Sequence, residues 1–265
     1  MQTAVVVLLL LGLSMATQAA IKTETVTYQA GDTVCQGYLA DDDAGAGPRP
    51  GVLVFPEWWG VNDFPRERAR QLAELGYVAL VADMYGDGLV ATDPAEAGKL
   101  AGQFRGAWDT GGRQLMRERA AAALAELVKN PRVDRQRVAA IGFCFGGTCA
   151  LELAYSGAVL GGVVTFHGGL TVPEAADLAR IKAHLLILHG ADDPTIKPET
   201  ITALQEALRQ GKVDWEMIYY GGAVHGFTNP ANVPAAGSPV AYNEIAARRS
   251  GQAMRDFLAE VFAKP

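Results

Sequence analysis

Two hydrophobic periods divide the chain. Residues 23–29 and 33–39 alternate polar and apolar positions, and Ala30-Gly31-Asp32 between them has turn chemistry, which predicts an antiparallel hairpin. Beyond it, residues 51–55, 78–82, 138–141, 160–165, 184–188 and 214–219 are short, mostly continuous apolar runs. Such runs predict strands covered on both faces. Between them, apolar residues recur at spacings of three and four over 64–75, 114–128, 145–155, 198–210 and 243–262, which predicts helices. The alternation predicts an α/β fold: a mostly parallel central sheet with helices on both faces and the hairpin at its start.

Two segments fall outside this rhythm. Residues 87–112 are polar, Gly-rich and poorly periodic apart from a short helix near 94–104, so they are the candidate for a loop over a site. At the N-terminus, residues 4–13 (AVVVLLLLGL) form an apolar run too short to cross a bilayer. Small residues follow it and suit cleavage after Ala16 or Ala19, although Met1-Gln2-Thr3 lacks the usual Lys or Arg. The expectation is a signal peptide over residues 1–20, export to the periplasm or beyond, and one α/β domain over 21–265 with no membrane span left after processing.

Composition narrows the function. The 265 residues are 49% hydrophobic and 20% charged, as in ordinary globular chains. A net charge of −6, without a basic block, argues against a nucleic-acid partner. Cys35, Cys144 and Cys149 are too few for a disulfide scaffold and lack zinc-site spacing. No metal or organic cofactor is expected.

Candidate chemistry centres on Gly142-Phe143-Cys144-Phe145-Gly146-Gly147, where a predicted strand turns into a predicted helix. That is the setting of a nucleophile elbow, G-x-nucleophile-x-G, whose sharp turn leaves no room for side chains two residues either side of the nucleophile. Cys35 and Cys149 lack the paired glycines. A thiol suits the corner, because the thiolate is the reactive form and helix N–H groups stabilise its charge. A thiol nucleophile needs a histidine base oriented by a carboxylate, in the chain order nucleophile, acid, histidine. Only His225 follows the acidic turn at Gly190-Ala191-Asp192-Asp193, so order selects His225, whereas Asp192 and Asp193 cannot be separated by pattern. His167, His184 and His189 precede the acid and are assigned to packing or hydrogen bonding.

With these motifs in place, the sequence from about Thr23 onward resembles the dienelactone hydrolase family, the cysteine-bearing branch of the α/β-hydrolases. The resemblance rests on the elbow, on Phe55-Pro56-Glu57-Trp58-Trp59-Gly60, on Gly190-x-x-Asp193 and on Val224-His225-Gly226-Phe227. It implies an α/β-hydrolase fold and hydrolysis of a small ester or lactone through a thioester. The enzyme would be a carboxymethylenebutenolidase-type or short-chain carboxylesterase. It favours Asp193 over Asp192, makes Glu57 an acid coupled to the thiol, and makes the N–H groups of Trp58 and Phe145 an oxyanion hole. Trp59 and Asn229 are candidates for substrate contact. The family's lactone-specific members carry arginine four residues after the histidine, where this chain has Asn229; Lys99 and Arg105 lie in the neighbouring loop without an assignment.

Two other readings remain open on sequence: an exported binding or scaffold protein on the same fold, and a thiol redox protein. Cys144 and Cys149 lie five apart on one helix and do not share a face. A Cys35–Cys149 disulfide stays open, as do the substrate and the oligomeric state.

Overall fold

The computed structural model describes residues 20–43, 47–106 and 108–263. The apolar run and both cleavage positions of the expected signal peptide fall in residues 1–19, outside the described residues. Among the described residues, eight strands form one sheet: β1 (Ile21–Ala30), β2 (Thr33–Asp42), β3 (Arg49–Phe55), β4 (Val78–Val81), β5 (Val133–Phe143), β6 (Gly162–Phe166), β7 (His184–Gly190) and β8 (Trp215–Tyr220). Their spatial order is β1-β2-β4-β3-β5-β6-β7-β8. The β1–β2 hairpin is antiparallel and β2 joins β4 antiparallel, while β4, β3 and β5 through β8 run parallel. Chain direction across the sheet reverses between β3 and β5, and such a switch point opens a crevice beyond the carboxyl ends of the strands.

The helices are α1 (Asp63–Glu74), α2 (Pro94–Arg105), α3 (Gly112–Lys129), α4 (Phe145–Tyr155), α5 (Ala175–Leu178), α6 (Pro198–Gln210) and α7 (Glu244–Ala263). Strand pleating assigns alternate residues to two cores. Leu53 and Phe55 pack with α2, α3, α4 and α6 through Phe104, Met116, Leu151 and Leu204. Val52 and Val54 pack with α1 and α7 through Leu72, Leu258 and Phe262. Every residue of α4 is buried, including Glu152. A helix without a polar stripe must be enclosed on all sides, and its one carboxylate must find charge partners inside. Arg113 and Arg117 of α3 supply them: both bond Glu152 and Asp177, tying α3 to α4 and to the turn of α5.

One expectation changes. The run at 214–219 was expected to be covered on both faces, but β8 pairs with β7 alone and most of it is partly exposed. The charges of Asp214 and Glu216 inside that run mark an edge strand. The short helix expected near 94–104 forms as α2. Asp93 accepts N–H bonds from Ala95 and Glu96, Pro94 starts the helix, and α2 runs for 12 residues.

Candidate active site

The expected residues lie on loops leaving the carboxyl ends of four parallel strands. Glu57 follows β3, Cys144 follows β5, Asp193 follows β7 and His225 follows β8. The first two flank the switch point, and the others arrive from the far side of the sheet.

Cys144 sits between β5 and α4 with φ 52°, a left-handed conformation that costs a non-glycine residue of order 1–3 kcal/mol and persists only where the surroundings impose it. The imposing contacts are backbone ones. A Cβ on Gly142 would lie 2.0 Å from the Gly146 carbonyl oxygen, as the turn geometry predicts. A Cβ on Gly146 would strike strand β3 instead, 2.3 Å from the Phe55 oxygen and 2.4 Å from that of Pro56. Tertiary packing therefore requires the second glycine. The Cys144 N–H points to the Phe166 oxygen at 3.0 Å and to His167 Nδ1 at 3.2 Å.

His225 Nε2 lies 3.0 Å from Cys144 Sγ, and His225 Nδ1 lies 2.8 Å from Asp193 Oδ2. Asp193 Oδ1 accepts the N–H of Thr195 at 2.8 Å and its hydroxyl at 2.6 Å, which fixes the carboxylate plane. Burial decides between the neighbouring aspartates: Asp193 is enclosed and faces the ring, and Asp192 is exposed. Burial alone opposes protonation of His225. The Cys144 sulfur and the Asp193 carboxylate outweigh it and push the histidine up to about 10. Burial also works to raise Asp193, but the bonds from His225 and Thr195 hold its carboxyl below its ordinary value.

Glu57 is the exception among these charges. Burial pushes its carboxyl up to about 7, against a 2.7 Å bond from Asn229 Nδ2 and the charges of His225 and Arg68. Asn229, expected to meet substrate, is buried, and its amide also accepts the Ala231 N–H; the structure places it behind Glu57 and not on the cavity wall. The cavity over Cys144 measures about 530 Å³ and is lined by Glu57, Trp58, Trp59, Arg105, Phe145, Thr195 and Ile196, among others. That size suits a small organic molecule. Trp58 and Trp59 meet edge to face with centroids 5.2 Å apart, and Tyr85 bonds the Trp58 carbonyl at 2.8 Å. The loop at Leu89–Ala91 braces them through the bridge from Val90 to Gly60 and the Ala91 N–H bond to the Trp59 oxygen.

Two contributors, Thr195 and Arg105, escape the sequence reading, and His167 takes the hydrogen-bonding place expected of it. Thr195 follows Asp193 by two, the spacing of a side chain that bonds its own turn, and that signal was available. Arg105, at the end of α2, stacks over the Phe145 ring at 5.6 Å and lines the cavity; nothing local announces this. His167 is buried behind the elbow, its Nε2 2.7 Å from Thr228 Oγ1, and burial followed by the nearby His225 holds it well below the ordinary histidine range. It is therefore a neutral ring, with Nδ1 accepting from Cys144 and Nε2–H donating to Thr228. His189 packs edge-on against Tyr219, and His184 pairs with Asp214 at the sheet margin. Cys35, Cys144 and Cys149 are all free, so the disulfide left open by the sequence is not formed here.

Comparison with known proteins identifies the family and the fold. The model of the dienelactone hydrolase family matches residues 35–262. A Synechocystis protein named "Putative carboxymethylenebutenolidase" is 30% identical, over 78% of this chain and 87% of its own length. A Bradyrhizobium protein named "Probable 2-oxo-3-(5-oxofuran-2-ylidene)propanoate lactonase" is 28% identical, over 68% of this chain and 74% of its own. Among solved structures, a dienelactone hydrolase-like promiscuous phosphotriesterase from metagenomic libraries is 46% identical with TM-score 0.86, covering 92% of this chain and 99% of that one.

Proposed function

The chain belongs to the dienelactone hydrolase family and is a hydrolase of the lactone and ester class, and from this premise we propose that it works through Cys144, His225 and Asp193 with a thioester intermediate. The observation that carries the reading is the continuous contact from Sγ through the imidazole to the carboxylate.

In the proposed cycle the Cys144 sulfur, paired with imidazolium, attacks the substrate carbonyl carbon. Asp193 stabilises the cationic ring and fixes its tautomer. Trp58 and Phe145 line the cavity together with Cys144, and the oxyanion is received by their N–H groups, which donate to no other acceptor among the described residues. As the carbon–oxygen bond to the leaving group breaks, His225 Nε2 delivers its proton to that oxygen, leaving an acyl thioester. Water then adds to the thioester while His225 takes one of its protons. Collapse breaks the carbon–sulfur bond and releases the acid.

The cavity also bears on the substrate. Asn229 presents no charge to it, while Arg105 supplies a cation on the Phe145 side. A lactone or ester with an anionic substituent therefore retains a partner, though from α2 and not from the loop after His225. The 46% identical phosphotriesterase adds neutral phosphotriesters to the classes worth assaying. The test is acid quench of wild type with a slow p-nitrophenyl ester, followed by peptide mass spectrometry. An acyl adduct on Cys144 is expected; turnover with the adduct on another residue, or with none at any quench time, overturns the mechanism.

A further inference from the structure

A second cavity, about 90 Å³, lies on the other side of the sheet between α1 and α7. Its walls are apolar where they meet the sheet, through Leu72, Phe143, Phe166 and Met254, and cationic where Arg68 and Arg255 border it. The volume holds several waters and so admits a ligand of a few heavy atoms.

Some arginines of this protein meet carboxylates and others, Arg119 and Arg135 among them, bond only neutral acceptors; Arg68 and Arg255 belong to the second group. Arg113, Arg117, Arg132, Arg137 and Arg180 all meet carboxylates. Arg68 instead bonds the Gln71 amide at 2.8 Å and, at 3.4 Å, the Thr228 carbonyl, with its Nε buried and unpartnered. Arg255 bonds the Gln252 amide at 2.6 Å. Neither donates to a carboxylate among the described residues. Burial is the largest influence on Arg68 and lowers it from the ordinary arginine range, as expected of a cation with incomplete compensation. Two such donors facing one partly apolar cavity describe a receptor for an anion with a short hydrocarbon tail.

We infer that this cavity is a second binding site, for a small aliphatic carboxylate held by Arg68 and Arg255 with its tail against Phe143 and Phe166. Its position gives it consequence. Phe143 precedes Cys144, the Phe166 carbonyl accepts the Cys144 N–H, and Thr228 holds the His167 ring that accepts the same N–H. A ligand here lies against the groups that support the elbow from behind. On the hydrolase reading, carboxylates are also what the reaction releases; the site itself does not depend on that reading.

The test is calorimetric titration with sodium butyrate, without turnover. Because the catalytic cavity would also admit butyrate, the wild-type protein is first carbamidomethylated at Cys144 with iodoacetamide. Binding is expected to survive alkylation, to weaken at least tenfold in Arg68→Met/Arg255→Met, and to be absent for n-butylammonium. Loss of binding on alkylation, equal binding by the double variant, or equal binding of n-butylammonium overturns the proposal. Arg255→Met alone, on a half-exposed helix face, covers the case of a double variant that does not fold, with at least threefold weakening expected and an unchanged affinity counting against the site.

Discussion

Two clusters of buried charge hang on α4, and the fold treats them oppositely. Midway along the helix, Glu152 and Asp177 face Arg113 and Arg117, with Thr171 donating to a Glu152 oxygen and Arg180 to Asp177. Burial tends to raise Asp177, but its arginine bonds hold it below the ordinary carboxylate value. At the N-terminal end of the same helix, Glu57 receives one bond from a neutral amide and is pushed up to about 7. Matched charges act as a staple, within which Asp177 is held toward its ionised form. The undercompensated carboxyl can change protonation in the range where chemistry runs, and perturbed groups of that kind gather at functional sites.

The largest expected effect separates the two clusters outright. Cys144→Ala should cut kcat/KM for a p-nitrophenyl ester by about 10⁴-fold or more while leaving the unfolding midpoint near wild type. A variant that keeps a tenth of the activity breaks the proposed division of labour. The opposite pattern is expected of Glu152→Ala, which strands two arginines beside a single remaining buried acid. Urea unfolding should show a loss of about 3–5 kcal/mol, with kcat of the folded fraction retained. A loss under about 1 kcal/mol would mean that the staple is only decorative.

Glu57 sharpens the contrast through pH. Its folded pKa is raised from 4.5 to about 7, so over that window the native state keeps a proton that the unfolded chain has released. Stability contributed by the protonated group is therefore full below about 4.5 and declines as pH rises to about 7. Glu57→Gln removes that slope. Relative to wild type, it should gain roughly 2–3 kcal/mol in unfolding free energy between about pH 5 and about pH 8. A parallel pair of pH profiles would place the carboxyl in the matched class after all. The smallest effect concerns Arg105, whose change to Met should weaken kcat/KM roughly three- to tenfold for an anionic ester and leave its neutral isostere unchanged. Equal losses on both substrates would make the residue a packing element over Phe145.

Much of this molecule is written in short-range terms. Two strands of alternating residues around Gly31-Asp32 can only pair as a hairpin, and continuous apolar runs separated by helical spacing need a sheet covered on both faces. The glycines around Cys144 announce a sharp strand-to-helix turn, and the sole histidine after Asp193 is the one the fold brings to the sulfur. Such features depend on backbone sterics and periodicity over a few residues, or on chain order, and both are legible in a single sequence.

Tertiary structure alone decided the rest. Asp193 differs from Asp192 by burial, and Gly146 is required because β3 carbonyls pass beside it. Asn229 reaches Glu57 across 172 residues of chain, Arg105 reaches Phe145 from another helix, and β8 is an edge because, among the described residues, no strand lies beyond it. These outcomes turn on which side chains the packed sheet brings within about 3 Å of one another. That distance is set by all the elements together, and no local pattern in the sequence encodes it.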